Sequence, residues 1–420
     1  MKLTCYLALV VLLLLLSTQT GMAQKTIASD SISRQFGGPG SVTDQLADDE
    51  RQKETLTGLS TMKRYFDWKK RLKKDHGLSL SFDYNSGLLV ATNTLNDDDL
   101  FASGAVRFFG YWALVGRGSG NTGSIVWKVE NRHTYTNLPA NAAASEIGYI
   151  GAILPKFNNI GTRLTNLYWK QKLNKGRMEI VAGFLDATDW VDLYAFASPW
   201  NGFFNFAFST GGGSIALPDA AAIGTYVNAM ITDNLYVIGG LTDANANSKD
   251  PFGGFETFFK DHEYFKSIEL GWTTDQKRFY FDNTHLTFWH ADERTNDNIS
   301  SGWGLNFSFA QAFNDKWMPF IRAGYADEGG SLLQKTVSTG LGYHLKDDIS
   351  LLGFGFNWGQ PNVGTFGQGL DDQYSFELFG RLQITQNLQV TPDIEWIINP
   401  ALNPKADQSW IVGLRARLVL

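Results

Sequence analysis

Lys128, Glu130 and Arg132 occupy alternate positions of one short stretch, with Ile125, Trp127 and Val129 on the positions between. In an extended chain neighbouring side chains point to opposite faces, so the three charges share one face and the apolar residues the other. Arg107 lies on the preceding stretch of the same kind, where it could face Glu130. Such a row offers several hydrogen-bond donors and acceptors to a small polar molecule. It suits a site that exchanges water for weak protein hydrogen bonds and then lets go. It suits equally an ion pair that only stiffens a wall. Bond-making chemistry has no comparable support: there is no G-x-S-x-G segment and no Ser/His pair at recurring spacing. His133, His285, His290 and His344 stand on separate segments without metal-ligand spacing. No catalytic residue, metal or cofactor is expected.

The elements that must position these charges are strands. Sixteen alternating segments begin near residues 78, 103, 121, 163, 176, 221, 234, 263, 278, 302, 317, 334, 350, 372, 387 and 408. In the last, Trp410, Val412, Leu414, Ala416, Leu418 and Leu420 form one face, opposite Ser409, Gly413, Arg415 and Arg417. An Arg facing lipid at mid-membrane costs about 2–4 kcal/mol, so Arg415 and Arg417 must face an interior. The same argument turns Asp393 and Glu395 inward from Leu388, Val390, Pro392, Ile394, Trp396 and Ile398. Glu377, Arg381 and Gln383 turn away from Tyr374, Phe376, Leu378, Leu382 and Ile384, and Asn306 and Ser308 from Trp303, Leu305, Phe307 and Phe309. Tight turns fall near Gly118, Asn174, Asp233, Asp275, Asn314, Asp347 and Gln386, and most of the alternate connections are longer. This rhythm predicts an all-β fold, a transmembrane antiparallel up-and-down β-barrel around an aqueous channel. Trp112, Trp127, Trp169, Trp272, Trp303, Trp317, Trp358 and Trp410 sit near strand ends, where indoles form interfacial girdles.

Four segments follow. Residues 1–23 read as a secretory signal peptide: Lys2, an apolar run from Leu7 to Leu16, and small Gly21 and Ala23 at the cleavage site. Cys5 is the only cysteine, so the mature chain has neither a disulfide framework nor a thiolate metal site. Residues 24–62 are a polar periplasmic leader containing Gly37-Gly38-Pro39-Gly40 and the charges Asp48, Asp49, Glu50, Arg51, Lys53 and Glu54. Flexible chain is the first expectation for it, a short plug or partner-binding helix the second. Residues 63–77 form a short amphipathic helix ending at Gly77, and 78–420 the outer-membrane barrel. No later stretch supplies the roughly 20 apolar residues of a membrane helix, and the mean hydropathy is -0.18. With 36 basic and 42 acidic residues the net charge is -6, which disfavours nucleic acid as a partner. The long connection from Asp189 to Asp219 carries Trp190, Tyr194, Phe196, Trp200, Phe203, Phe204 and Phe206, too many rings to lie in water. Folded back, it would narrow the channel, with Asp186, Asp189 and Asp192 anchoring its base.

Several segments resemble the OprB-type carbohydrate-selective porins. They include Gly183-Phe-Leu-Asp186-Ala-Thr-Asp189 with Asp192 and Phe196-Ala197, Phe255-Glu-Thr-Phe258-Phe259, and Pro319-Phe-Ile-Arg322-Ala-Gly324-Tyr325. Gly340-Leu-Gly342-Tyr343, Asn357-Trp358-Gly359, Asn387-Leu-Gln-Val-Thr391-Pro392-Asp393, Asn399-Pro400-Ala-Leu-Asn403-Pro404 and Gly413-Leu-Arg415-Ala-Arg417 continue the likeness, which runs from about Phe66 to Leu420. The resemblance implies a monomeric barrel that passes monosaccharides such as glucose. It places basic and acidic groups on the early strands, and so makes Arg107, Glu130 and Arg132 the expected eyelet. Lys128, Asp186, Arg322, Glu377, Arg381, Asp393, Glu395, Arg415 and Arg417 complete the expected pore lining. Expected partners are small sugars, outer-membrane lipid and lipopolysaccharide, and the barrel-assembly machinery, met through the C-terminal strand. The sequence departs from the family in ending on Leu420 where an aromatic is usual, and in a leader without a counterpart. The rival readings are a general or anion-preferring porin and a structural or adhesin barrel.

Overall fold

The computed structural model describes residues 36–51, 53, 55–58, 62–314, 316–345 and 350–420. The signal segment, Glu54 and the turn at Asp347 lie outside the described residues. Strands run β1 Leu78–Ala91, β2 Leu100–Val115, β3 Gly123–Thr134, β4 Gly161–Leu173, β5 Met178–Leu185, β6 Ala222–Met230, β7 Leu235–Asp243 and β8 Tyr264–Thr273. They continue with β9 Asn283–Ala291, β10 Gly302–Ala310, β11 Trp317–Glu328, β12 Leu333–His344, β13 Leu351–Pro361, β14 Gln373–Gln383, β15 Leu388–Ile398 and β16 Gln408–Val419. Each pairs antiparallel with its neighbours, and β1 closes on β16, so no edge is left open to lipid. The largest displacement from the sequence expectation is β9, expected near 278 and found from Asn283. Its aromatic lead-in turns instead: Asp275 caps a helical turn at Gln276–Arg278, and Phe279 folds into the barrel mouth against Tyr236, ring centroids 4.7 Å apart.

Alternation holds around the wall. On β15, Gln389, Thr391, Asp393 and Glu395 are buried while Pro392 and Ile394 are exposed. On β16, Arg415 and Arg417 are buried and Trp410, Val412, Leu414 and Leu418 exposed. Trp396 and Trp410 stack across that pair at 5.4 Å, part of the girdle near the long-loop end. Trp112 and Trp317, 44% and 46% exposed, mark the short-turn end.

The interior is narrowed by the loop that the sequence folds back, and by two further inserts. The 186–221 connection folds into the lumen, burying Trp190, Tyr194, Phe196, Trp200, Phe203, Phe204 and Phe208. The 135–160 connection packs beside it, through Ile147, Ile153, Leu154 and Phe157 and a bridge between Ile153 and Asn205. The described part of the leader, for which flexible chain was the first expectation and a short plug or partner-binding helix the second, forms a third insert. Helix α1, Val42–Glu50, lies against β1, β2 and β3 with Val42, Gln45, Leu46 and Asp49 buried. Its start is set by Ser41, whose Oγ accepts from the Asp44 N–H at 3.4 Å. Polar α1 suits this place because the wall around it is polar.

Helix α2, Lys63–His76, is largely exposed and ends at Gly77, which takes φ +70 and donates to the Lys73 carbonyl at 2.9 Å. A side chain there would come within 2.8 Å of the Ala113 carbonyl, so glycine is required by both conformation and space. Lipid-facing apolar residues hold the outside of the barrel. Leu378, at mid-strand in β14, is 51% exposed. Leu378→Arg is expected to lower folding stability in lipid vesicles by about 2–4 kcal/mol, read from denaturant unfolding. An unchanged midpoint would mean that this face does not meet hydrocarbon.

Candidate functional site

The early-strand charges converge as the sequence suggests, with one partner that it did not single out. In register, Arg107 of β2 stands opposite Glu130 on one side and Asp83 of β1 on the other. It takes Asp83, donating from Nε at 2.8 Å and also from Nη2. Glu130 is held by its own strand neighbour, Arg132, whose Nε donates to it at 2.7 Å. Asp83 also accepts from Arg417 Nε at 2.7 Å, so one carboxylate ties β1 to β2 and β16. The signal for Asp83 was present: Ser79, Ser81, Asp83 and Asn85 alternate with Leu80, Phe82 and Tyr84.

Trp200, at the tip of the folded-in loop, lies under this group. The Arg107 guanidinium carbon is 4.1 Å from its ring centroid and that of Arg132 5.9 Å. With Nε and Nη2 held by Asp83, Arg107 Nη1 is left buried with no hydrogen-bond partner among the described residues. Trp200, which carries Arg107 on its ring, also lines a cavity of about 10 Å³ together with Lys128, Lys156, Asp186, Asp189 and Ser198 among others. That is room for about one water.

The remaining predicted pore residues mostly anchor the loop. Arg415 donates to the Pro199 carbonyl at 2.9 Å and the Gly202 carbonyl at 2.8 Å, and stacks over Phe204 at 4.6 Å. Glu377 accepts the backbone N–H groups of Phe204 at 2.6 Å and Asn205 at 3.0 Å. Glu395 accepts from the Asn205 side chain at 2.9 Å, and Arg381 donates to the Asn201 carbonyl at 3.1 Å. Asp393 is buried on the same face of β15. Arg322 reaches Asp192 and the Ser209 carbonyl, and lies 4.3 Å from the centroid of the Tyr194 ring. Asp192 further accepts from the Gly211 N–H at 2.7 Å and pairs with His285 Nε2 at 2.9 Å, a contact that the sequence did not reveal. Trp190 stacks on Tyr226 at 5.4 Å, and Phe196 packs edge-on to Phe203 at 5.4 Å, so both rings are packing residues.

Asp186 accepts from Lys156 Nζ at 3.2 Å and caps the turn at Thr188, with an N–H donating at 3.2 Å. Burial raises its carboxyl, but Lys156 and Lys128 outweigh that and hold it well below the usual range. Asp189 differs. Burial, reinforced by the Asp186 charge and only partly opposed by Lys128 and Lys156, pushes it up to about 7. It is therefore neutral in acid and anionic above neutrality.

A closed sixteen-stranded barrel whose longest loop folds in to narrow its lumen defines an outer-membrane porin. The chain belongs to the OprB family of carbohydrate-selective porins, whose family model matches residues 130–420. The high-pH structure of Pseudomonas putida OprB is similar, with a TM-score of 0.65 and 15% identity over 88% of this chain and 99% of that one. The low-pH structure of the same porin gives 0.50 and 13% over 88% and 100%. No curated protein sequence matches the chain. Family and fold together make this an outer-membrane channel protein of a Gram-negative bacterium rather than an enzyme.

Two outcomes are expected from the site. Cation over anion permeability in planar bilayers should rise as pH passes about 7, and Asp189→Asn should flatten that rise. Asp192→Ala should loosen the loop, because it strands the buried Arg322 charge at a cost of about 3–5 kcal/mol; channel noise and a lowered melting midpoint would report it.

Proposed function

We propose that this porin is a passive channel selective for neutral monosaccharides such as glucose, with Arg107, Lys128, Glu130 and Arg132 as its weakly binding eyelet. The observation that carries the reading is the state of Arg107. Asp83 and Trp200 fix the guanidinium in place, yet its buried Nη1 has no partner among the described residues. A buried donor without a partner costs about 1–3 kcal/mol, and a sugar hydroxyl arriving there removes that cost. Rigid placement keeps the ordering cost of binding small. A sugar needs to be held only at millimolar affinity, about -4 kcal/mol, so that it also leaves. Membership of a carbohydrate-selective family supports the same solute class. On this reading the first 23 residues are removed on export, the barrel works as a monomer in outer-membrane lipid and lipopolysaccharide, and β16 addresses it to the assembly machinery.

Conductance in planar bilayers with added glucose, maltose and succinate tests the proposal. Glucose should block the current at millimolar concentration, maltose more weakly. Arg107→Ala should raise the half-blocking glucose concentration about tenfold, the equivalent of about 1.4 kcal/mol. Asp83 keeps Arg417 in that variant, so the wall stays paired. If sugars leave the current unchanged while succinate passes freely, the chain is a general or anion-preferring porin.

A further inference from the structure

We infer that the described residues of the leader, 36–51, 53 and 55–58, are a plug that closes the short-turn mouth of the barrel beneath the constriction, and that solutes pass when it is displaced. The inference rests on the reading of the chain as a channel but not on which solute it carries. The extended stretch before α1 runs directly under the constriction loop. Gly38 N–H donates to the Asp189 carbonyl at 3.0 Å, and a side chain at Gly38 would come within 2.7 Å of Leu193. Pro39 and Gly40 line the cavity beside Lys128 and Trp200. Its volume of about 10 Å³ admits a water and no sugar ring. With the leader docked, the cavity that Lys128 and Trp200 line is shut from the short-turn side.

The docking contacts are those of a part that can leave. The barrel sheet closes between β1 and β16 without any leader residue. Helix α1 carries Asp44, Asp48, Asp49 and Glu50 and no basic residue, and it faces basic groups of the wall. Arg417 Nη2 donates to Asp49 at 3.0 Å, Ser81 Oγ donates to Asp49 at 2.8 Å, and Tyr280 donates to Asp44 at 2.7 Å. Gln386 joins the backbone of Arg51 and Lys53, both at 3.0 Å, and Leu56 N–H donates to the Gln383 carbonyl at 3.0 Å. Among the described residues, the leader's buried apolar side chains are Phe36, packed on Phe279, with Val42 and Leu46. Coulombic gain in a buried ion pair is largely offset by lost hydration, so Asp49 gives up little when it returns to water. Arg417 then keeps Asp83 at 2.7 Å, and no wall charge is stranded.

A reversible cross-link tests this. A Cβ built at Gly40 lies 3.6 Å from that of Ser198, inside the range of about 3.5–4.5 Å that a disulfide spans. Gly40→Cys with Ser198→Cys in the full chain, oxidised and confirmed by gel shift, should show at least a tenfold lower conductance in potassium chloride than after dithiothreitol. The unsubstituted protein should ignore the reductant. Asp49→Asn should lengthen open times without any cross-link, and deletion of Phe36–Gly58 should leave the channel open. Equal conductance of the oxidised and reduced double variant would overturn the plug, as would a deletion variant no more conductive than the intact chain. Ion current is measured without sugar, so a cross-link that closes the pore while glucose never blocks it would keep the plug and remove the sugar reading; the converse result would do the opposite.

Discussion

Hydrocarbon around the barrel tolerates no charge, and from that one constraint the interior follows. Each carboxylate and guanidinium on the part of a strand that meets hydrocarbon must point inward, where bulk water is largely displaced by the inserted loops. There a charge stays only if something in the lumen satisfies it. The wall solves this in two ways. Some charges meet each other across strands, as Asp83 does with Arg107 and Arg417. Others satisfy the backbone of the folded-in loop: Glu377 accepts from two of its N–H groups, and Arg415 donates to two of its carbonyls. An irregular segment buried in a membrane protein carries backbone groups that need partners, and the wall charges are those partners. Loop and wall therefore require each other.

This gives the two sides of the barrel different roles. Around β11 and β14 to β16, most of the charged groups are occupied in holding the loop. Around β1 to β3 they pair mainly among themselves, which fixes their geometry and leaves Arg107 Nη1 without a partner among the described residues, over the Trp200 ring that lines the cavity. Trp200 joins the halves, because its ring lies under Arg107 while the carbonyl just before it, on Pro199, is held by Arg415. Rigidity at the constriction thus comes from the opposite wall.

Much of the barrel was legible because a strand's period of two and the lipid's exclusion of charge act on the same residues. Arg415 and Arg417 could face only one way. The in-folding of the 186–221 loop was legible from its rings, since Trp190, Tyr194 and Trp200 in water would be costly. Partner choice was not. Register puts Arg107 opposite both Asp83 and Glu130, and only the reach of the side chains, with Arg132 already on Glu130, decides between them. The β9 boundary was missed because Phe279 and Tyr280 read as strand residues, whereas they close the mouth over the leader. Flexible chain stood ahead of a short helix as the expectation for the leader for a related reason. Polar composition signals exposure in a protein with an apolar core, but in a barrel turned inside out it signals an affinity for the interior.

That inversion also explains how a segment so acidic can be buried. Burial alone would raise the Asp48 carboxyl, but Lys53 and Arg51 hold it well below the usual carboxylate range. Asp49 has the Arg417 fork. Arg417 divides its donors between Asp49 and Asp83, and Asp83 divides its oxygens between Arg417 and Arg107. A single chain of charge-assisted hydrogen bonds therefore runs from the leader to the constriction, with no uncharged link in it. When Asp49 withdraws, Arg417 turns wholly to Asp83, and the carboxylate that orients Arg107 becomes more fully neutralised. Occupancy of the mouth and the hold on the constriction donor are thus set by one shared carboxylate, and neither can change without the other feeling it.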